Sequence, residues 1–286
     1  MLRRIAFAAV AIPSVIGIAY LGRWALAALL AVAGGLGARE LYDLARKQGI
    51  EPLGRLGTLG AALTPLAVAS TLFLAGRGPD LIRQGYLFLV FVLVVLLAAL
   101  ARRSPDQRPL AAVAVTVLGV LYAAWLPSFA LTLRHPLPAP FADDAKVGMA
   151  LLFYPLILTW VGDSAAMSAG RSFGRAKMTP VISPNKTWAG GIGGLFGTLT
   201  VSLMYAAFVF PRAGLAVSLG EALVFGAVIS VVGQAGDVVE SLFKREVGVK
   251  DSSALLPGHG GVLDRLDSLY FVLPVTALLY RLADLA

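Results

Sequence analysis

Long apolar stretches, separated by short polar segments, recur along the whole chain. An α-helix needs about 20 mostly apolar residues to cross a membrane, and most of these stretches approach that length. The pattern predicts nine spanning helices, over residues 5–21, 24–42, 57–76, 84–101, 110–133, 147–170, 188–210, 217–243 and 267–283. The second and eighth contain charged residues, so a total of eight or ten also fits. The predicted fold class is an all-α, polytopic integral membrane protein with about nine transmembrane helices.

The composition agrees with this class. Of the 286 residues, 58% are hydrophobic and 14% are charged, and the mean hydropathy is +0.81. An ordinary soluble domain is about 25% charged, so a soluble globular protein is excluded. The apolar stretches recur to the last residue, which excludes a disordered protein and a secreted protein with one cleavable leader. Cysteine is absent. This excludes disulfides, a thiol nucleophile and a cysteine metal site, and it leaves oxygen atoms as the main ligands for any metal.

The distribution of positive charge predicts the orientation in the membrane. If the N-terminus lies inside and nine spans alternate, 17 of the 24 lysine and arginine residues fall inside and seven fall outside. Cytoplasmic loops of membrane proteins carry such an excess of positive charge. We therefore expect the N-terminus and the two most polar loops, 171–187 and 244–266, to be cytoplasmic. The net charge of +8 then reflects topology, and no nucleic acid partner is expected.

The two halves of the chain differ in polarity. Residues 1–135 are predicted to form a transmembrane scaffold of about five helices joined by short basic loops. Residues 146–286 are predicted to form the catalytic region, because they place acidic residues at or near membrane depth. These are Asp163, Asp237, Glu240 and Asp267. Ionisable groups inside a membrane are costly and usually functional.

A glycine-rich segment, 189–197, opens the seventh predicted span. Gly190 and Gly194, and likewise Gly193 and Gly197, are each separated by three residues. Small residues at this spacing let two membrane helices approach closely. The segment therefore predicts a packed helix, not a phosphate-binding loop.

The densest polar stretch extends from the eighth predicted helix into the ninth. If the eighth helix continues through Lys244, then Asp237, Ser241 and Lys244 share one helical face. Asp264 and Asp267, three residues apart, are expected to open the ninth helix. Carboxylates separated by cationic residues suit Mg²⁺ and phosphates, since Mg²⁺ prefers oxygen ligands and lysine and arginine bind phosphate oxygens. An ordinary basic loop would explain the cations but not the acids.

The stretch 241–267 resembles the signature of the phosphatidate cytidylyltransferases, also called CDP-diacylglycerol synthases. That signature is Ser, two residues, Lys-Arg, four residues, Lys-Asp, a short spacer and Pro-x-His-Gly-Gly-x-x-Asp-Arg-x-Asp, and every fixed position is present here. The segments 160–175 and 183–188 are also similar to motifs of this family, although Met167 stands where the family usually has an aromatic residue. The resemblance is dense over about 155–268 and only topological over 1–135.

The resemblance implies an enzyme that transfers CMP from CTP to phosphatidate, giving CDP-diacylglycerol and pyrophosphate for phospholipid biosynthesis. It also implies a homodimer in the bacterial inner membrane, with the active site at the cytoplasmic face. The expected cofactor is Mg²⁺, with room for a second cation. The chemistry needs alignment and charge neutralisation of two polyanions more than it needs a protein nucleophile.

The polar pattern and the resemblance together predict three groups of site residues. The catalytic group is Lys244, Arg245, Lys250, His259 and Arg265. The substrate-binding group is Arg171, Ser183, Asn185, Lys186, Ser241, Gly260 and Gly261. The metal ligands are Asp163, Asp237, Asp264 and Asp267.

Several of these roles have alternatives. Asp163 fits a metal ligand, a residue that orients Lys186 or Arg171, or a structural hydrogen-bond acceptor. Lys186 fits a phosphate ligand or an interfacial anchor, and His259 fits a phosphate contact, a general acid or a loop contact. At the level of the whole protein, the alternatives are a related CDP-lipid synthase or a polyprenol kinase. A secondary transporter is disfavoured, because transporters place their site near mid-membrane between repeated halves.

Overall fold

The computed structural model describes residues 2–74, 81–136, 144–255 and 260–285, and about 80% of it is helical. The helices are α1 (Leu2–Leu21), α2 (Arg23–Lys47), α3 (Gly54–Phe73), α4 (Leu81–Arg102), α5 (Pro109–Val120), α6 (Leu126–Arg134), α7 (Ala145–Phe173), α8 (Trp188–Phe208), α9 (Leu219–Glu246), α10 (Leu263–Leu266) and α11 (Leu269–Leu282). A short π-helical segment joins α5 to α6, and two strands, β1 (Lys177–Thr179) and β2 (Ser183–Thr187), precede α8.

Within the described ranges, seven helical segments are long and apolar enough to cross a membrane. They are Arg23–Lys47, Gly54–Phe73, Gln84–Arg102, Pro109–Arg134, Ala145–Phe173, Trp188–Phe208 and Leu219–Glu246. These coincide with the second to eighth predicted spans. The first and ninth predicted spans correspond to α1 and α11. The all-α polytopic class is confirmed, and the total of nine stays a prediction.

Helix α9 continues through Lys244, as the sequence predicts, so Asp237, Ser241 and Lys244 share one face. Glu221, for which the sequence suggested no role, helps to cap the first turn of α9. A carboxylate oxygen of Glu221 accepts a hydrogen bond from the Ser218 N–H at 2.7 Å. The Ser218 hydroxyl in turn accepts one from the Glu221 N–H at 3.1 Å. This reciprocal capping box fixes the start of α9.

The prediction that Asp264 and Asp267 open one continuous ninth helix is wrong. Asp264 lies in α10, a four-residue turn, whereas α11 begins only at Leu269. Oδ1 of Asp267 accepts a hydrogen bond from the Ser268 N–H at 2.6 Å. A local bond of this kind competes with helical hydrogen bonding and favours a break. The two aspartates therefore lie on separate elements.

Loop 171–187 contains a small hairpin that the sequence did not indicate. Strands β1 and β2 pair antiparallel, with Lys177 opposite Thr187. Thr187 then caps α8, because its hydroxyl accepts a hydrogen bond from the Gly190 N–H at 3.1 Å. The hairpin thus holds Lys186 immediately before α8. Its strands have three and five residues, too few to alter the fold class.

The chain divides into two compact units. The first comprises residues 1–132 and 246–266, and the second comprises 133–245 and 267–286. The segment 246–266, which the sequence suggested as part of the C-terminal region, therefore groups with the N-terminal residues. The predicted division into a scaffold and a catalytic region stays a prediction.

The first unit is packed around Tyr42 of α2. This side chain is buried, and its hydroxyl donates to the carbonyl of Thr116 in α5 at 2.8 Å. Gly57 and Gly119 face the ring, and a Cβ at either position would overlap it. The Thr116 hydroxyl also accepts a hydrogen bond from the Leu53 N–H at 2.8 Å. These contacts join α2, α3 and α5 and orient the inner face of α2.

The second unit is built on the packing of α7 against α8. A Cβ at Gly194 would lie 3.1 Å from the Ala166 Cβ and 3.2 Å from the Gly162 carbonyl. Gly190 approaches Gly170 in the same way, and the other predicted pair, 193 and 197, faces alanines of α7. The predicted close packing of this segment is confirmed.

Replacing Gly194 with valine is expected to lower the free energy of unfolding by about 1–3 kcal/mol, because the added atoms overlap α7. The thermal unfolding midpoint in detergent measures this loss. Gly85→Val in α4 is the matched control, since a Cβ there meets no described atom within 4 Å. Equal midpoints for the two variants would contradict the assignment of this helix contact.

Candidate active site

The centre of the polar cluster in the second unit is an ion pair between the hairpin and α9. Nζ of Lys186 lies 2.8 Å from Oδ2 of Asp237 and donates to the carbonyl of Gln234 at 3.2 Å. The Ser241 hydroxyl donates to Oδ1 of Asp237 at 3.4 Å. Lys186 and Asp237 are both partly exposed. A phosphate could therefore reach the ammonium group without unfolding of the site.

Two further carboxylates surround this pair. Asp163 of α7 lies close enough to Asp237 and Asp267 for their charges to repel, and close enough to Lys186 to be attracted. Asp267 lies just before α11, outside the seven candidate spans. Asp267 is half-buried and lies close enough to Asp237 for the two charges to repel. The unit therefore concentrates more negative charge than Lys186 alone can balance.

This concentration of charge bears on whether a metal fits. Among the described residues, no group of three or more histidine, aspartate or glutamate side chains is close enough to form a ready metal site. The donor set nevertheless fits Mg²⁺, since Asp163, Asp237 and Asp267 offer the oxygen ligands that this ion prefers. A divalent cation would also relieve the repulsion between them. The predicted ligands are thus chemically compatible with Mg²⁺.

Lys244, which the sequence predicts to be catalytic, forms a buried ion pair in the structure. It pairs with Glu240 one turn earlier on α9. Both residues are buried, with 8% of Lys244 and 1% of Glu240 exposed. Removing one partner of an ion pair that is buried this deeply strongly destabilises a protein. The structure therefore gives Lys244 a role in stabilising α9, whereas its predicted catalytic role stays a prediction.

The remaining predicted residues of this unit lie on the hairpin and at the ends of α7 and α9. Nε of Arg245 donates to the carbonyl of Ile182 at 3.2 Å, which ties the end of α9 to the hairpin turn. Arg171 and Asn185 are exposed, and Ser183 is half-buried. All three are accessible, as a substrate-binding role requires.

A small polar cavity adjoins Asp163. Its volume is about 10 Å³, and its polar lining includes Asp163, Thr159, Thr198, Ser230 and Gln234. This is roughly the space that one water molecule needs. Asp163 therefore has several polar neighbours, although apolar residues such as Leu158 and Ile229 also line the cavity.

A larger apolar groove lies between α8 and α9. Its volume is about 500 Å³, and its lining includes Trp188, Leu195, Val231 and Val238. Gln234, whose carbonyl accepts the hydrogen bond from Lys186, lines the same groove. A cationic group and an apolar surface are thus adjacent in this unit.

In the first unit, Asp264 organises the segment that carries it. Its Oδ2 accepts hydrogen bonds from the N–H and the hydroxyl of Ser252, both at 2.8 Å, and from the Gly261 N–H at 2.7 Å. Gly260 has φ +79°, a left-handed conformation that favours glycine. Lys250 and Arg265 are exposed, whereas His259 lies outside the described residues. The metal-binding role of Asp264 stays a prediction.

One residue that contacts this segment, Glu40, was not predicted from the sequence pattern. Glu40 of α2 is 4% exposed and contacts the segment 252–263. The available signal was an acidic residue within the second predicted span, since ionisable groups inside a membrane are usually functional.

Comparison with known proteins shows the family to which the chain belongs. A profile of the cytidylyltransferase family matches residues 2–283. The chain belongs to this family. The match extends over the N-terminal helices, where the sequence resemblance was only topological.

Individual relatives have a more specific name. A phosphatidate cytidylyltransferase of Staphylococcus aureus (strain COL) is 45% identical over 139 residues, which cover 49% of this chain and 52% of that protein. One from Haemophilus influenzae (strain Rd) is 43% identical over 145 residues, 49% of each chain. One from Staphylococcus epidermidis (strain RP62A) is 42% identical over 139 residues. The chain thus spans about half the length of the relatives that it matches.

Proposed function

We propose that this protein transfers CMP from CTP to phosphatidate, giving CDP-diacylglycerol and pyrophosphate. The observation that carries the proposal is the Lys186–Asp237 ion pair, set among Asp163 and Asp267 in a member of the cytidylyltransferase family. The name shared by the relatives supports phosphatidate as the acceptor.

The reaction is a displacement at phosphorus. A phosphate oxygen of phosphatidate attacks the α-phosphorus of CTP, and the bond between that phosphorus and the bridging oxygen to the β-phosphate breaks. Pyrophosphate leaves with the bonding electron pair. Both reactants are polyanions, so catalysis depends on alignment and on charge stabilisation. Lys186 and Arg245, both on or beside the hairpin, supply positive charge for the phosphates.

We expect Asp237 and Asp267 to hold Mg²⁺, with Asp163 as a further ligand in the same unit. The metal-binding role predicted for Asp264, which lies in the other unit, stays a separate prediction. When bound, the ion would polarise phosphate oxygens and offset their charge. The protein's own contribution is to hold Asp163 and Asp237 within long helices and Asp267 just before α11. Ser241 supports this arrangement by donating to Asp237.

The apolar groove between α8 and α9 suits the acyl chains of the lipid. Its walls are apolar, and the residue at its edge, Gln234, contacts Lys186. A phosphate at Lys186 would therefore leave the attached hydrocarbon next to a surface that it can bury. This adjacency favours a lipid phosphate over a water-soluble acceptor.

The proposed reaction is tested with the purified full chain, phosphatidate in mixed micelles, and CTP labelled at either the α- or the γ-phosphorus. The proposal expects the α-label in the lipid and the γ-label in pyrophosphate. Transfer of the γ-label to a lipid or a polyprenol would instead identify a kinase. Transfer of the α-label only to another lipid phosphate would identify a related CDP-lipid synthase. Movement of substrate across vesicles without chemistry would identify a transporter.

The proposed location is the bacterial inner membrane, with the site at the cytoplasmic face and the chain acting as a homodimer. Single cysteines at Ala254 and Ala286 test the orientation, because the native chain has no cysteine to interfere. We expect membrane-impermeant reagents to modify the first from the cytoplasmic side and the second from the opposite side. Modification of both from one side would contradict the nine-span orientation.

A further inference from the structure

Glu40 is a buried carboxylate whose partners all belong to one distant segment. Its Oε1 accepts hydrogen bonds from the Ser253 hydroxyl at 2.7 Å and the Val262 N–H at 3.0 Å. Its Oε2 accepts from the Ser252 hydroxyl at 3.0 Å and the Leu263 N–H at 2.9 Å. The carboxylate therefore joins two parts of the segment 252–263 that are ten residues apart in sequence.

This arrangement requires a group that only accepts hydrogen bonds. Each oxygen of Glu40 accepts one backbone N–H, and Oε1 also accepts the Ser253 hydroxyl. The Ser252 hydroxyl has a single proton and lies between Oε2 of Glu40 and Oδ2 of Asp264. A glutamine side chain has one oxygen and one NH₂ group. In either orientation its NH₂ group would therefore face a backbone N–H, of Val262 or of Leu263. A serine hydroxyl can rotate to accept a bond, but a backbone N–H cannot.

The contacts of Glu40 continue to Asp264. The Ser252 hydroxyl lies within hydrogen-bond distance of Oε2 of Glu40, at 3.0 Å, and of Oδ2 of Asp264, at 2.8 Å. Gly261 lies against Ser252 and Glu40, since a Cβ at this position would overlap the Ser252 hydroxyl and the Glu40 carboxylate. Glycine at this position thus admits the buried carboxylate. Glu40, Ser252 and Gly261 together define where the backbone before Asp264 runs.

We propose that Glu40 is a positioning residue, which holds residues 252–253 and 260–264 in the arrangement needed for CMP transfer without touching the substrates. This role rests on the proposed function, because the segment carries the predicted ligand Asp264. The hydrogen bonds themselves do not depend on that function. The two parts of the proposal can therefore be tested separately.

Glu40→Gln tests the hydrogen bonds directly. In the full-length protein in detergent, hydrogen exchange is followed by mass spectrometry over residues 250–266. We expect exchange at one of the two amides, Val262 or Leu263, to accelerate by about tenfold or more, the effect of one unsatisfied buried donor. Glu51→Gln is the matched control, because Glu51 is exposed and contacts only Arg46 among the described ion pairs. It should leave this exchange unchanged.

Kinetics test the positioning role. We expect kcat for CDP-diacylglycerol synthesis to fall by about tenfold in Glu40→Gln, while KM for CTP changes little, since no cation is removed. Glu40→Asp keeps an acceptor-only side chain and should retain more of kcat than Glu40→Ala. A general structural role would instead accelerate exchange throughout the protein and reduce the Asp and Ala variants equally.

The outcomes separate the two proposals. Unchanged exchange at Val262 and Leu263 in Glu40→Gln would overturn the assignment of Glu40. Accelerated exchange with unchanged kcat would overturn its role in catalysis. A native chain that makes no CDP-diacylglycerol would overturn the proposed function, whereas the exchange experiment would still decide whether Glu40 holds the segment.

Discussion

Asp237→Asn is expected to reduce CMP transfer by at least about 100-fold, comparable to the loss of one group that stabilises charge in a transition state. Asparagine preserves the shape of the side chain but removes its charge. Lys186 would then lose its partner at 2.8 Å, and the predicted Mg²⁺ site would lose a ligand. The measurement is kcat/KM for CTP at several Mg²⁺ concentrations, together with the unfolding midpoint.

The matched control for this variant is Glu221→Gln on the same helix. It makes the same change from acid to amide, 16 residues away, or about 24 Å along the helix axis. Glu221 caps α9 and is placed outside the site, so activity should remain near that of the native chain. Near-normal turnover and an unchanged Mg²⁺ requirement in Asp237→Asn would refute the assigned site.

Lys244→Ala is expected to destabilise the protein by about 3–5 kcal/mol, because it removes the cation that pairs with the buried Glu240 carboxylate. The ion pair lies within one turn of α9, and both partners are almost fully buried. Heating in detergent, followed by size-exclusion chromatography, measures the loss. Lys47→Ala, at an exposed lysine near the end of α2, should leave the unfolding midpoint nearly unchanged.

A double variant separates stability from substrate binding. Glu240→Leu with Lys244→Met removes both charges and keeps apolar side chains of similar size, so stability should recover. If the double variant is stable and active, Lys244 acts through the fold. A Lys244→Ala protein that is as stable as the native chain would contradict the buried pair as a stabilising contact.

Much of the fold could be predicted from the sequence because its pattern is strongly periodic. Apolar length alone indicated the spans that match α2 to α9, and the spacing of glycines indicated the packing of α8 on α7. The continuation of α9 through Lys244 followed from helical spacing. These features depend on local composition, which a sequence displays directly.

Other features depend on contacts that a sequence does not display. The break after Asp267 results from one side-chain hydrogen bond to Ser268. The burial of Lys244 against Glu240 depends on which face of α9 is turned inward. The sequence does not single out Glu40, and only the fold shows that it lies against residues more than 200 positions later in the chain.

That long separation has a consequence for how the protein is made. Residue 40 is synthesised 212 residues before Ser252 and 223 before Leu263. At bacterial elongation rates of up to about 20 residues per second, the carboxylate waits roughly 10 s or more for its partners. During this time α2 resides in the membrane with an acidic group whose donors do not yet exist. A chain that is truncated before residue 252 therefore retains α2 but lacks every one of these partners of Glu40.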